Sequence, residues 1–212
     1  MLMVRNDIAE FKKTIPSDVT LVAATKYLTS VEMLDFLNAG INNFGENRVD
    51  SFLTKYEDLK DKNVVWHFIG HLQKNKAKKV INKIEYLHSL DSLELAKIIS
   101  KTAIFPLKTF VEVSINLEEN KNGVPYYEVE DFLRQILPLP NIKIVGLMMM
   151  AVKGANDESL RDQFKRLRLL RDELENKLNI SLPYLSMGMS DDYLDALKEG
   201  ATHIRLGRIL LK

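Results

Sequence analysis

Lys26 stands just beyond the apolar run Leu21, Val22, Ala23, Ala24, so an amine sits at the rim of a strand buried on both faces. Such a lysine either carries its charge out to water along its own apolar stem or is held where its nitrogen meets a ligand. A nucleophilic amine needs burial or a nearby cation to lower its pKa, and Arg205, at the end of another apolar run, is a candidate for that cation. A second set of residues suits an anion. In "IRLGRILL" the chain turns at Gly207 and then becomes apolar enough for a short helix, so the amides of Gly207 and Arg208 can point at a phosphate. The Ser190 hydroxyl, in "GMSDDYLDALKEG", could reach the same anion. The other reading of Ser190 is plain capping of the helix that follows it, with Asp191 and Asp192 in the first turn, where they would repel a phosphate placed close to them.

Further polar residues fall where apolar runs end: Glu46 and Asn47, His67, Asn116, and Ser186 with Gly188. Met148 and its neighbours close another run. His67 and His71 are four apart, but "WHFIGH" reads as a strand ending at Gly70, which does not set both imidazoles on one helical face. No cysteine or carboxylate cluster joins them, and no metal is expected. Trp66 and Phe68 read as core or wall, "LMMMA" as barrel filling, and "QKNKAKKVINKIE" as a solvated helix face.

The elements that must position these residues follow a rhythm of a short apolar run, a longer segment of helical period, and a Gly- or Asn-containing joint. The strand candidates are "LVAAT", "NNFG", "WHFIG", "EYLHSL", "KTFVEVSI", "KIVGLMMM", "PYLSMG" and "THIRLG". Eight parallel βα units close a TIM-type (β/α)8 barrel, whose site lies at the carboxyl ends of its strands. An open doubly wound sheet uses the same units, but no G-x-G-x-x-G turn follows the first strand and no P-loop is present. Two capping boxes are expected, Thr29 with Glu32 (stapled by Leu28 and Met33) and Asp91 with Glu94 (stapled by Leu90 and Leu95). Gly40 and Gly200 should end their helices in the left-handed region. Leu160, Phe164, Leu167, Leu170, Leu174 and Leu178 make one apolar stripe on the longest helix.

Composition bounds the rest. A chain of 212 residues supports one sizeable core, so residues 1–212 are expected to form a single domain. Thirty basic against twenty-nine acidic residues, a net charge of +1, give no electrostatic reason to expect nucleic acid or a membrane surface as partner. The lack of cysteine removes thiolate chemistry and fits a reducing, cytoplasmic compartment. The N-terminal stretch, interrupted by Arg5, Asp7, Glu10, Lys12 and Lys13, reads as a short amphipathic helix and not a signal peptide, and no run of about eighteen apolar residues would span a bilayer.

Together "LVAATKYLT", "FGENRVDSF", "WHFIGHLQKNK", "HSLDSLELA", "GLMMMA" and above all "LSMGMSDDYLDALKEGATHIRLG" resemble the pyridoxal 5′-phosphate homeostasis protein family, small relatives of the alanine racemase N-terminal barrel. The resemblance covers nearly the whole chain. It implies that Lys26 forms an aldimine with the cofactor aldehyde and that Ser190, Gly207 and Arg208 hold the phosphate. Arg205 matches the arginine facing the pyridine nitrogen, and Asn47, His67 and Met148 match positions near the cofactor. A donor-only guanidinium keeps that nitrogen unprotonated and the ring a weak electron sink, so the implied role is binding, storage or delivery of pyridoxal phosphate in vitamin B6 homeostasis, not catalysis. The racemase relatives use a further domain and a tyrosine base, for which the sequence after "RILLK" leaves no room. The implied partners are pyridoxal phosphate and the apoenzymes that receive it, and the implied state is a monomer. The alternatives are a minimal pyridoxal-phosphate-dependent amino-acid racemase and, more remotely, a Schiff-base aldolase. The chain departs from the family pattern at His71, usually proline, at Arg208, usually threonine, and at Ser114 and Asn116.

Overall fold

In the computed structural model, which describes residues 4–116, 122–152 and 154–212, every apolar run read as a strand contains one. The strands are β1 (Thr20–Ala24), β2 (Asn43–Glu46), β3 (Val65–Phe68), β4 (Tyr86–Leu90), β5 (Leu107–Ser114), a two-residue β6 (Val124–Pro125), β7 (Ile142–Met148), β8 (Tyr184–Ser186) and β9 (His203–Leu206). All pair in parallel in the order β4-β3-β2-β1-β9-β8-β7-β5, and β4 also pairs with β5, so eight strands close on themselves with β6 outside the ring. The fold is a closed parallel TIM-type barrel. The seam between the first and last strands sets Val22 beside Arg205 and Ala23 beside Leu206. That register brings the turn after β1, which carries Lys26, to the same end of the barrel as Gly207.

The helices are α1 (Ile8–Lys13), α2 (Ser30–Asn38), α3 (Val49–Asp58), α4 (Lys74–Ala77), α5 (Leu93–Thr102), α6 (Val129–Ile136), α7 (Asp157–Leu178) and α8 (Tyr193–Lys198). At α2 the capping box forms: the Thr29 amide donates to Glu32 Oε2 at 2.7 Å and the Glu32 amide donates to Thr29 Oγ1 at 3.3 Å. The box expected at Asp91 does not. Ser92 is the residue before α5 and caps nothing through its side chain, while Asp91 turns to His71 Nδ1 at 3.2 Å. Gly40 and Gly200 adopt φ of +73° and +83° after α2 and α8, as helix-ending glycines do. Helix α7 starts on Asn156, whose side chain accepts from the Ser159 amide, and buries Phe164, Leu167 and Leu174.

Side chains alternate across the barrel wall as the pleat requires. On β3, Trp66 and Phe68 face outward and pack edge-on against Phe52 of α3, at 5.4 and 6.4 Å between ring centroids. Phe52 and Phe68 have no exposed surface, and burial of such a ring contributes of order 2 kcal/mol. His67 points inward. The barrel interior is aromatic and polar instead of aliphatic: His67 stacks on Tyr86 at 4.7 Å, His88 on Phe110 at 4.4 Å, and His203 meets Tyr184 at 4.9 Å. At the amino ends of the strands, Ile104 and Phe105 are 70% and 79% exposed in the turn between α5 and β5. Among the described residues no helix is long and apolar enough to cross a membrane.

Candidate functional site at the barrel mouth

At the carboxyl ends of the strands a cavity of about 220 Å³ has Lys26, Asn47, His71, Glu112, Met150 and Arg205 among its walls. Four elements meet there. The turn after β1 brings Lys26, the turn after β2 brings Asn47, β5 brings Glu112 and β9 brings Arg205. Lys26 is exposed at the rim, with Nζ 4.9 Å over the Tyr27 ring, whereas Arg205 is buried on the floor.

The turn that carries Lys26 is fixed from behind. The buried Lys55 of α3 donates to the Thr25 carbonyl at 2.7 Å and to Glu46 Oε1 at 2.5 Å, and the Thr25 hydroxyl donates to the same carboxylate oxygen at 2.6 Å. Both the main chain and the side chain of the residue preceding Lys26 are thus tied to one buried ion pair. Replacing Lys55 by Met should leave Glu46 buried without its counter-ion and cost about 3–5 kcal/mol of stability. Denaturant unfolding measures this, and a Lys55→Met, Glu46→Leu double variant should recover a large part of the loss.

Arg205 is tied as firmly. NH1 donates to the Ser186 carbonyl at 2.8 Å and to Ser186 Oγ at 2.6 Å, and NH2 donates to the Met149 carbonyl at 2.8 Å. Burial lowers its pKa to about 10, against the pull of Glu112 and Asp192, so it is charged at neutral pH. Burial also pushes the Glu112 carboxyl up to about 7, helped by Asp91 and opposed by Arg205. The Asn47 side-chain oxygen is buried and, among the described residues, has no hydrogen-bond partner. An acceptor of that kind on a cavity wall is an invitation to a ligand that donates.

Ser190 does not cap α8, because the helix begins at Tyr193 after Asp192. Its hydroxyl oxygen instead accepts from the amides of Gly207 at 3.2 Å and Ile209 at 3.4 Å. Two amides therefore converge on one oxygen beside β9. The second comes from Ile209, one residue beyond the pair read from the sequence, and the Arg208 side chain is exposed and paired with Asp191.

Of the residues named from sequence, the structure brings Lys26, Asn47 and Arg205 to one cavity and sets Ser190 and Gly207 together at its side. Others lie elsewhere. His67 is fully buried inside the barrel, bonded to His88 and Asn43, because it falls on the inward face of β3 a residue short of the strand's end. Met148 likewise packs inside β7 against Phe110 and Val145, and the methionines on the cavity wall are Met150 and Met189. Asn116 bonds Gln163 of α7 at 2.8 Å, whereas Asn122 reaches the cavity. Sequence reasoning passed over Glu112, although a carboxylate inside the apolar run "FVEVSI" signals an inward or rim position as Lys26 does.

Comparison with known proteins shows the family. A family model described as "Alanine racemase, N-terminal domain" matches residues 3–212. The pyridoxal phosphate homeostasis protein of Aquifex aeolicus is 43% identical over 193 residues, covering 90% of this chain and 85% of its own. The protein of the same name from Synechocystis is 38% identical over 207 residues, covering 95% and 94%. Among solved structures, PipY of Synechococcus elongatus, determined with PLP bound, superposes with a TM-score of 0.89 at 32% identity, covering 96% of this chain and 99% of that one. With matches of this extent, the chain belongs to the alanine racemase N-terminal domain family and, within it, to the pyridoxal phosphate homeostasis proteins.

Proposed function

We propose that this chain binds pyridoxal 5′-phosphate at the barrel mouth, holds it covalently through Lys26 Nζ, and stores or delivers it within the cell. The observation that carries the reading is the sharing of one cavity by an accessible amine and a buried, charged arginine, with converging amides at its side. The residues fit such a ligand. The Ser190 hydroxyl offers a donor to a phosphate beside the Gly207 and Ile209 amides, which now bond its oxygen and would have to turn from it to meet the anion. Arg205 offers its remaining donors to a ring nitrogen, and Asn47 offers an acceptor without a partner among the described residues. Arg208 adds a cation nearby. When bound, the cofactor supplies an electrophilic aldehyde and an electron-withdrawing ring.

The chain's own groups argue for holding over turnover. Arg205 cannot give up a proton at neutral pH and has no acceptor to offer, so it withholds the protonated ring nitrogen that carbanion chemistry exploits. Its relatives carry the name of homeostasis proteins and not of an enzyme. Apoenzymes lacking the cofactor are the recipients in this reading, and the chain acts as a cytoplasmic monomer. A minimal amino-acid racemase has one observation in its favour, Glu112, whose pKa of about 7 suits a proton carrier beside Lys26. Exchange of an amino acid's α-proton for deuterium, lost in Lys26→Ala, would favour that alternative.

Incubation with pyridoxal phosphate, reduction with borohydride and peptide mass spectrometry should place the adduct on Lys26. In Lys26→Ala the labelling and the visible absorbance should both disappear. Stoichiometric labelling of a different lysine with Lys26 intact would reject the assignment.

A further inference from the structure

Beneath the mouth lies a line of hydrogen bonds that the binding reading does not use. Arg205 NH1 reaches Ser186 Oγ at 2.6 Å, Ser186 Oγ lies 2.8 Å from His88 Nδ1, and His88 Nε2 lies 2.9 Å from His67 Nδ1. His67 Nε2 lies 3.0 Å from Asn43 Oδ1, and the Asn43 amide nitrogen donates to Asn42 Oδ1 at 3.2 Å. Ser186, His67 and His88 have no exposed surface and Arg205 is 5% exposed, whereas Asn42 and Asn43 at the far end are half-buried.

The proton positions follow from counting. Burial, together with the nearby His203 and the cations Lys108 and Arg205, holds the pKa values of His67 and His88 well below the ordinary range, and each ring carries one proton at neutral pH. Asn43 spends its amide nitrogen on Asn42, so its oxygen accepts and the single proton of His67 is on Nε2. His67 Nδ1 is then an acceptor, which requires the proton of His88 on Nε2. His88 Nδ1 is in turn an acceptor, and only the Ser186 hydroxyl can supply it. The Ser186 oxygen is left with lone pairs, which is what a donor-only guanidinium requires. From either end the chain closes with no surplus proton and no missing one.

We infer that Ser186, His88 and His67 are positioning residues that form a one-way hydrogen-bond relay, anchored at Asn43, which locks the Arg205 guanidinium in the orientation it presents to the mouth. The relay makes Ser186 Oγ a committed acceptor. With NH1 held by two Ser186 oxygens and NH2 by the Met149 carbonyl, the guanidinium plane is fixed, and its remaining N–H bonds are directed rather than free to rotate. Protonation of His88 would put an N–H against an oxygen already occupied by a cation, so the relay also keeps a second positive charge away from Arg205. The consequence for binding rests on the proposed ligand, but the relay itself does not.

The test has two parts. Long-range proton–nitrogen NMR of the ¹⁵N-labelled, cofactor-free chain at pH 7 should find both His67 and His88 protonated on Nε2, with Nδ1 unprotonated. A proton on His88 Nδ1, in either a neutral or a doubly protonated ring, would overturn the relay. Titration with pyridoxal phosphate should then show binding weakened about tenfold in Ser186→Ala and restored in Ser186→Thr, the size expected for losing a hydrogen bond to a charged group. Equal binding by all three proteins would reject the positioning role. If the wild-type chain binds no pyridoxal phosphate, the binding reading fails while the tautomer result still decides the relay.

Discussion

Lowering the pH from 7 to 5 should destabilise this fold by about 3 kcal/mol, an effect that starts in the barrel interior. His67 and His88 are held neutral by burial well below their usual range, and His203 is lowered to about 4 by burial and by Arg205. For these groups the folded pKa is below the unfolded one, so their stabilisation is complete above an unfolded pKa of about 6.5 and is lost as pH falls. Glu112 acts oppositely. Its folded pKa of about 7 exceeds the ordinary carboxylate value, so its contribution is present at low pH and is lost as pH rises through 7. Between pH 6 and pH 5 three histidine protons favour the unfolded chain and one carboxyl proton favours the folded one. The net of two protons corresponds to about 2.7 kcal/mol per pH unit at full titration. Urea midpoints measured across this range check the slope, and Glu112→Gln should steepen the loss on acidification because it removes the opposing group. A stability flat from pH 7 to pH 5 would mean that the histidines already exchange protons with solvent.

Gly146→Ala should be the most damaging single methyl that can be added to the barrel. A Cβ at Gly146 would stand 1.8 Å from the Tyr184 carbonyl oxygen and 2.7 Å from its carbon. Those atoms belong to β8, which pairs with β7 through this same residue. Main chain cannot swing aside as a side chain can, so the two strands must part and the ring must open. A loss above about 4 kcal/mol, or failure to recover folded protein, is expected. Gly154→Ala is the control, since nothing lies within 4 Å of its Cβ and only the φ of +80° opposes the change. That substitution should cost about 1 kcal/mol. Comparable thermal unfolding of the two variants would contradict the close approach of β7 and β8.

The barrel was legible because the eight apolar runs are short, bounded by Gly, Asn or charge, and each followed by a segment of helical period. Even "NNFG", too short to identify by pattern, forms a strand, extended to Glu46. What failed turns on one or two residues at strand and helix ends. His67 and Met148 lie near the ends of their runs, which suggests the rim, but inward parity buries both below the mouth. Asp91 reads as a cap because its type favours that position, and Ser190 reads either as a cap or as a phosphate contact; tertiary partners, His71 for Asp91 and the Gly207 and Ile209 amides for Ser190, take both side chains and remove only the capping readings. Lys26 and Arg205 were found because charge at the end of a buried strand is conspicuous. His88 sits within "EYLHSL" beside other polar residues and carries no such contrast.

Ile104 and Phe105 project from the end of the barrel away from the mouth, in a turn that shares no residue with the cavity walls. A cysteine introduced there would be the molecule's sole thiol, available for tethering to a bead or a sensor chip with the opening facing the flowing solution. The two-ended architecture thus provides a handle for watching ligand exchange at a surface without touching the groups that govern it.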